Sequence, residues 1–508
     1  MRSKIARRSG VLLHPSSFPG SWGIGDLGPQ AHAFIDFLGD THQQLWQVLP
    51  LGPTGDDGSP YSAFSTSAGN PLLISVETLV DEGFSAPTRS GRMPESNPVD
   101  QRQVRASKLP ALKQLWREFQ QTSHLRDDFE SFCARVVDWL DDYALFMALK
   151  DTYLDKAWNQ WPEDLARREP GALERARRDL RDLVSFHQFS QFAFYRQWSR
   201  LRDYAHERGI RVVGDIPFYI AFDSADVWAN PQNFALDPKT REPRLMAGVP
   251  PDYFSKTGQL WGNPVYDWKH LEQERFAWWV GRFQRLTELV DIVRIDHFRG
   301  FQAFWQVPQG ETTAVNGEWA ECPGDAFFHT LEHELGHLPV WAEDLGLVTP
   351  EVEKLRDDFD FPGMKVLQFA FDGTGPENPY LPFNFPHNCV CYTGTHDNDT
   401  TVGWWTNLNA TQKQQVLAYV GHAGPLHWAM IRLVMSSIAD SVVIPLQDVL
   451  GLGSDARMNV PGRAQGNWSW RYPANALTDE LKGHLELITT TYGRSPRFTT
   501  KTQGNLRD

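Results

Sequence analysis

Three acids, Asp296, Glu343 and Asp397, stand at or just after the ends of short apolar runs. The runs are Asp291-Ile292-Val293-Arg294-Ile295, Val340-Trp341-Ala342 and Val390-Cys391-Tyr392, spaced about fifty residues apart. Two nearby carboxyl groups suit substitution at a glycosidic carbon through a covalent intermediate. One is an ionised nucleophile; the other protonates the leaving oxygen and later takes a proton back. Asp296 fits the nucleophile, because Arg294, two residues earlier on a strand, points to the same face and keeps a carboxylate ionised. Glu343 fits the acid/base, since Trp341 and Ala342 raise its pKa by desolvation. Asp397, between His396 and Asn398, fits a clamp on adjacent hydroxyls. The plain alternatives are a structural Arg–Asp pair, a glutamate at the core edge and a cap aspartate. Asp344 and Asp399 read as braces for their loops.

Acids at the C-terminal ends of several strands need a scaffold that gathers strand ends, which a (β/α)8 barrel does. Eight runs qualify as strands: Val11–His14, Leu45–Leu51, Val212–Ile216, Ile292–Ile295, Val340–Ala342, Val366–Phe371, Val390–Tyr392 and Val442–Leu446. They are continuously apolar, as strands buried on both faces are, and helical patterns lie between most of them. The expected fold class is therefore α/β: one catalytic (β/α)8 barrel over 1–508, with large insertions forming helical and loop subdomains. Two connections are too long for simple crossovers. Residues 52–205 form a mostly helical, strongly charged insertion after the second strand. Residues 217–290 follow the third strand and contain an aromatic loop at 250–264, placed to wall the site.

Composition excludes several classes. The net charge of −14 over 508 residues argues against nucleic acid and against an anionic membrane surface. No apolar run is long enough to span a membrane, and Gly10–Leu13 is too short for a signal-peptide core. The four cysteines form neither a disulfide pattern nor a zinc pattern, so we expect a reduced, cytoplasmic setting. The 20 Trp and 31 Phe are mostly core, but several aromatics lie in Gly/Pro-rich loops, where flat rings suit sugars.

Two louder motifs read as coincidences. His333-Glu334-Leu335-Gly336-His337 matches H-E-x-x-H, but Gly336 and Pro339 break the helix a zinc site would need. Gly23-Ile24-Gly25-Asp26-Leu27-Gly28 matches G-x-G-x-x-G, yet eight residues separate it from the strand and no acid follows at the dinucleotide spacing. We expect neither metal nor cofactor.

Further stretches give the chain a resemblance. Arg294-x-Asp296-His297, Ala342-Glu343-Asp344 and Thr395-His396-Asp397-Asn398-Asp399 resemble the α-amylase-type barrel superfamily. The closer likeness is to its 4-α-glucanotransferase branch, called amylomaltase or disproportionating enzyme. Supporting it are His14-Pro15-Ser16-Ser17, Ser59-Pro60-Tyr61, Gly214-Asp215-Ile216-Pro217, Pro250–Ser255, Gly258–Pro264, Asn459-Val460-Pro461-Gly462 and Gly466-Asn467-Trp468. The likeness spans nearly the whole chain, weakest over roughly 85–200, and implies no extra N-terminal domain. It implies Asp296 as nucleophile, Glu343 as acid/base and Asp397 as transition-state stabiliser. It further implies sugar contacts from Arg294, His396, Asp215 and Asp372. Tyr253, Phe254 and Trp261 would cover the glucan and Tyr61 would stack on it, with Ser59 and Asn467 also at the substrate. The implied partners are maltodextrin and starch- or glycogen-derived α-1,4-glucans as donor and acceptor, with glucose as acceptor or product.

The same acids run hydrolysis if water resolves the intermediate and transfer if a sugar hydroxyl does. An α-glucan hydrolase is the near alternative, and a silent glucan-binding protein the distant one.

Overall fold

The computed structural model describes residues 7–88, 98–121, 124–251, 255–373, 375–421 and 424–496. The strands in chain order are β1 (Arg8–Leu12), β2 (Leu45–Gln47), β3 (Arg211–Ile216), β4 (Leu245–Val249), β5 (Gln259–Pro264), β6 (Ile292–Ile295), β7 (Ala303–Pro308), β8 (Glu318–Glu321), β9 (Val340–Ala342), β10 (Gly363–Val366), β11 (Cys389–Tyr392) and β12 (Ser441–Pro445). Eight of them close a parallel barrel in the order β1-β12-β11-β10-β9-β6-β3-β2, and the other four form an antiparallel sheet, β5-β4-β7-β8.

Strand pleating explains both the core and the site. Leu12, Leu45, Val213, Ile292, Trp341, Met364, Val390, Tyr392 and Val443 form one buried cluster inside the barrel. Their neighbours Val11, Trp46, Val212, Val293, Val340, Cys391 and Val442 join the larger cluster beneath the surrounding helices. Side chains alternate with a period of two. Counting upward by twos from Val213, Ile292 and Trp341 reaches Asp215, Arg294, Asp296 and Glu343. The acids thus continue the interior columns past the C-terminal strand ends.

Two expected strands are displaced. The first strand runs Arg8–Leu12 rather than Val11–His14, and His14 instead caps the short 3-10 helix Pro15–Ser17. The sixth is Gly363–Val366; Leu367–Phe371, expected as its continuation, is a 3-10 helix. There Gln368 is buried and donates to the Asp399 carbonyl at 2.8 Å, while Phe371 packs on Trp404 and Tyr419. The expected second strand also stops at Gln47, short of Leu51.

Between β2 and β3 the chain adds several helices, of which Arg181–Glu207 is the longest. It presents Phe186, Phe189, Phe192, Trp198 and Leu201 to the core. Two buried glutamines on it grip the loop after β2. Gln191 accepts from Gly69 N and donates to Gly69 O, at 2.7 and 2.9 Å; Gln197 treats Ser75 the same way. The insertion therefore fixes the segment that carries Tyr61.

Arg494 closes the barrel from below. Its buried guanidinium donates to the carbonyls of Met435, Ser437, Ala439 and Arg8, tying the approach to β12 to the start of β1. Burial pushes its pKa down to about 9. Arg494→Ala removes this donor from four carbonyls, of which Met435 and Ser437 keep Arg7, and we expect it to cost about 2–4 kcal/mol. A urea midpoint is the check, with Arg494→Lys restoring little because one ammonium cannot span the four acceptors.

Candidate active site

At the ends of β3 and β6 the register pairs Asp215 with Arg294. Arg294 is buried, and its Nη1 lies 2.6 Å from Asp215 Oδ2 and 3.1 Å from Asp296 Oδ1. Its Nε contacts Met364 Sδ at 3.4 Å. Burial opposes its charge, but Asp215 and Asp296 outweigh that and raise its pKa well above the ordinary value.

Glu343 is held beside Asp296 by backbone. Its Oε2 accepts from His297 N at 2.7 Å, and its Oε1 from Leu345 N at 3.1 Å. His297 has a φ of 55°, the left-handed region that non-glycine residues rarely adopt. That turn aims its N–H at Glu343 directly after Asp296. Burial first, then the charge of Asp296, pushes Glu343 up to about 8, while Arg294 pulls the other way. Burial likewise lifts Asp296, to about 7, against the opposing pull of Arg294. Arg294 sits 3.1 Å from Asp296, whereas Glu343 has only neutral N–H partners among the described residues, so the charge favours Asp296 and the proton Glu343.

The third side is built by the loop after β2 and the turn after β11. Tyr61 Oη donates to Asp215 Oδ2 at 2.7 Å, so it accepts from His396 Nε2 at 2.9 Å. This settles the His396 tautomer, with the proton on Nε2. The two rings stack at 5.4 Å with an 11° interplanar angle. Burial pushes His396 down; Asp397 opposes that shift and Arg294 adds to it. Asp397 Oδ2 lies 3.4 Å from His396 Nε2, and its Oδ1 accepts from Asn459 Nδ2 at 2.6 Å.

The structure thus brings Asp296, Glu343, Asp397, Arg294, Asp215, His396 and Tyr61 together. Trp261, on β5, is 39% exposed and meets the His297 ring edge-on at 5.2 Å. Ser59 is half-buried two residues before Tyr61. Asp372 is exposed beyond the 3-10 helix rather than at a strand end, and accepts from Asn378 Nδ2 at 3.0 Å. Asn467 commits its amide to the backbone of Val460 and Arg463. Tyr253 and Phe254 lie outside the described residues. Asp344 braces: it accepts from Met364 N at 2.7 Å and pairs with Arg356. Gly363 permits this approach, since a Cβ there would sit 2.5 Å from the Asp344 carboxylate.

Four neighbours of the site escaped sequence reasoning. Asn459 holds Asp397, and Trp468 packs on Tyr61 and His396 at 5.7 and 6.0 Å. Tyr219 and His297 lie 6.1 Å apart, and Tyr219 Oη and His297 Nε2 are both buried without a hydrogen-bond partner. Asn459, Trp468 and His297 sit in stretches that carried the resemblance, but no spacing announces a partner 62 residues away. The helix bearing His333 ends at Leu335, so His337 is off it, below the barrel mouth opposite the acids.

With this geometry in view, likeness to known proteins is decisive. The 4-alpha-glucanotransferase family model matches residues 13–478. This chain belongs to that family. It is 55% identical over 497 residues to the 4-alpha-glucanotransferase of Synechocystis sp., covering 96% of this chain and 98% of that protein. To the 4-alpha-glucanotransferase of Thermus thermophilus it is 48% identical, over 96% and 98%. Among solved structures it superposes on the amylomaltase from Streptococcus agalactiae in complex with acarbose with a TM-score of 0.93. The identity there is 37%, over 96% of this chain and all of that one. Family membership makes the barrel with its antiparallel subsheet the family's fold. No helix among the described residues is long and apolar enough to cross a membrane.

Proposed function

We propose that this protein is a 4-α-glucanotransferase that moves α-1,4-glucan segments between maltodextrins by double displacement. The observation that carries the mechanism is the Arg294 guanidinium 3.1 Å from Asp296 beside a Glu343 held by neutral N–H groups, which favours the charge on Asp296 and the proton on Glu343. Asp296 attacks the anomeric carbon and forms a C1–O ester bond as the C1–O4 bond breaks. The Glu343 proton passes to the departing O4. An acceptor 4-hydroxyl then gives its proton back to Glu343, attacks C1 and expels Asp296, so the α configuration is retained. Asp397 stabilises the flattened sugar at the transition state of each step.

Asp215 Oδ1 is buried without a hydrogen-bond partner, which suits it to accept from a sugar hydroxyl. Tyr61 and His396 form the floor beside it, Trp261 flanks the glucan, and Ser59 and Asp372 accept outer hydroxyls. Asn467 acts through its loop, which carries Trp468. Tyr61→Phe removes the donor to Asp215 and the acceptor for His396, and we expect kcat/KM to fall about 10- to 100-fold. An unchanged melting temperature separates this loss from unfolding.

Incubation with maltotriose tests the reading. Constant reducing ends with a ladder of longer maltodextrins and released glucose support transfer. Rising reducing ends with only shorter products make the protein a hydrolase. No turnover by folded protein leaves only glucan binding.

A further inference from the structure

Large apolar side chains are mostly buried here, so the exposed ones near the acids stand out. On β8, Trp319 is 39% exposed, and four residues beyond Glu343, Leu347 is 65% exposed. Arg299 joins them: its guanidinium lies over the Trp319 ring at 3.9 Å, and its Nη1 donates to the Leu347 carbonyl. Arg299 is itself three residues past Asp296, on the short 3-10 helix Phe298–Phe301. Trp305, the cross-strand partner of Trp319, meets it near-perpendicular at 5.3 Å, and its own Nε1 is committed to the Ala314 carbonyl.

An indole held from two sides and still open to solvent is a rigid surface with little entropy left to lose on binding. It stands beside the catalytic loops, because Arg299 follows Asp296 by three residues and Leu347 follows Glu343 by four. Four residues reach at most about 14 Å, so the platform lies a few sugar rings from the acid. The carboxylate of Glu321, exposed and two residues along β8 on the same face as Trp319, adds a hydroxyl acceptor.

We propose that Trp319 and Leu347, braced by Arg299, form an outer binding platform for the glucan chain on the Glu343 side of the cleaved bond. The occupant is an α-glucan several units long, whose apolar sugar faces lie on the indole while its hydroxyls meet Glu321. This rests on the glucan-transfer reading above and adds a chain-length preference to it.

The test compares Trp319→Ala, Trp319→Phe and Leu347→Ala with the unaltered protein on maltotriose, too short to reach, and on maltoheptaose. For Trp319→Ala we expect kcat/KM to fall about fivefold to tenfold on maltoheptaose, through KM, with maltotriose unchanged. Trp319→Phe should restore most of the loss, and Leu347→Ala should show a smaller loss of the same kind. An unchanged ratio between the two substrates overturns the platform. Equal losses on both also overturn it, since Trp319 would then act by propping Arg299 and the catalytic loop. If the unaltered protein only hydrolyses, the transfer reading fails, yet the chain-length ratio still decides the platform.

Discussion

Asp296→Asn is expected to lower kcat for maltotriose disproportionation on the order of 10⁴-fold. The amide is close in shape and cannot form the glycosyl ester. Arg294 keeps its 2.6 Å contact with Asp215, so the floor of the site survives the change. Glucan binding, followed by calorimetry with maltoheptaose, should therefore shift by only a few-fold. A variant that retains a tenth or more of its turnover would move the nucleophile elsewhere. Full binding with lost turnover also rules out a protein whose only role is to hold glucan.

Glu343→Gln is the second large effect, a loss of about 10³- to 10⁴-fold on maltodextrins, whose leaving oxygen needs a proton. A glycosyl fluoride donor, whose leaving group needs none, should recover much of the first step. The pH profile carries the sign. Burial and Asp296 raise Glu343 to about 8, so activity declines as pH rises through that value and the acid form is lost. The raised pKa also bears on folding. The native state holds this proton more tightly than the unfolded chain does, so Glu343 lowers stability as pH climbs from the ordinary carboxylate range toward 8. Glu343→Gln should melt higher than the parent at pH 8, with the gap closing near pH 4, where both states are protonated. Equal melting temperatures at both pH values would contradict the buried, protonated acid.

These effects trace to residues that a linear reading can find. Continuous apolar runs capped by an acid announce barrel strands, because burial on both faces leaves no room for polar residues until the strand emerges at the rim. Arg294 and Asp296, two apart, declare a shared face. The run from Val366 to Phe371 misled for a physical reason. Six nearly apolar residues satisfy the pattern for a buried strand, and tertiary contacts of Gln368 and Phe371 hold all but Val366 in a 3-10 helix. Of the antiparallel sheet β5-β4-β7-β8, β5 lies in the stretch expected as the aromatic loop 250–264, where its glycine, asparagine and proline hide the strand. Contacts such as Asn459 to Asp397 depend on the meeting of two loops after closure, and neither loop carries a local mark of the other.

The seam between β1 and β12 has a consequence for how the molecule is made. The guanidinium that clasps it comes from a residue 486 positions after the Arg8 carbonyl it holds. A ribosome adding about 5–20 residues per second needs roughly half a minute or more to cover that distance. Until β12 is made the β1 edge has only β2 beside it, and the half-built sheet presents an open rim to other nascent chains. Yield in the cell should therefore follow the speed of translation and the supply of holding chaperones more closely than it follows the equilibrium stability of the finished barrel.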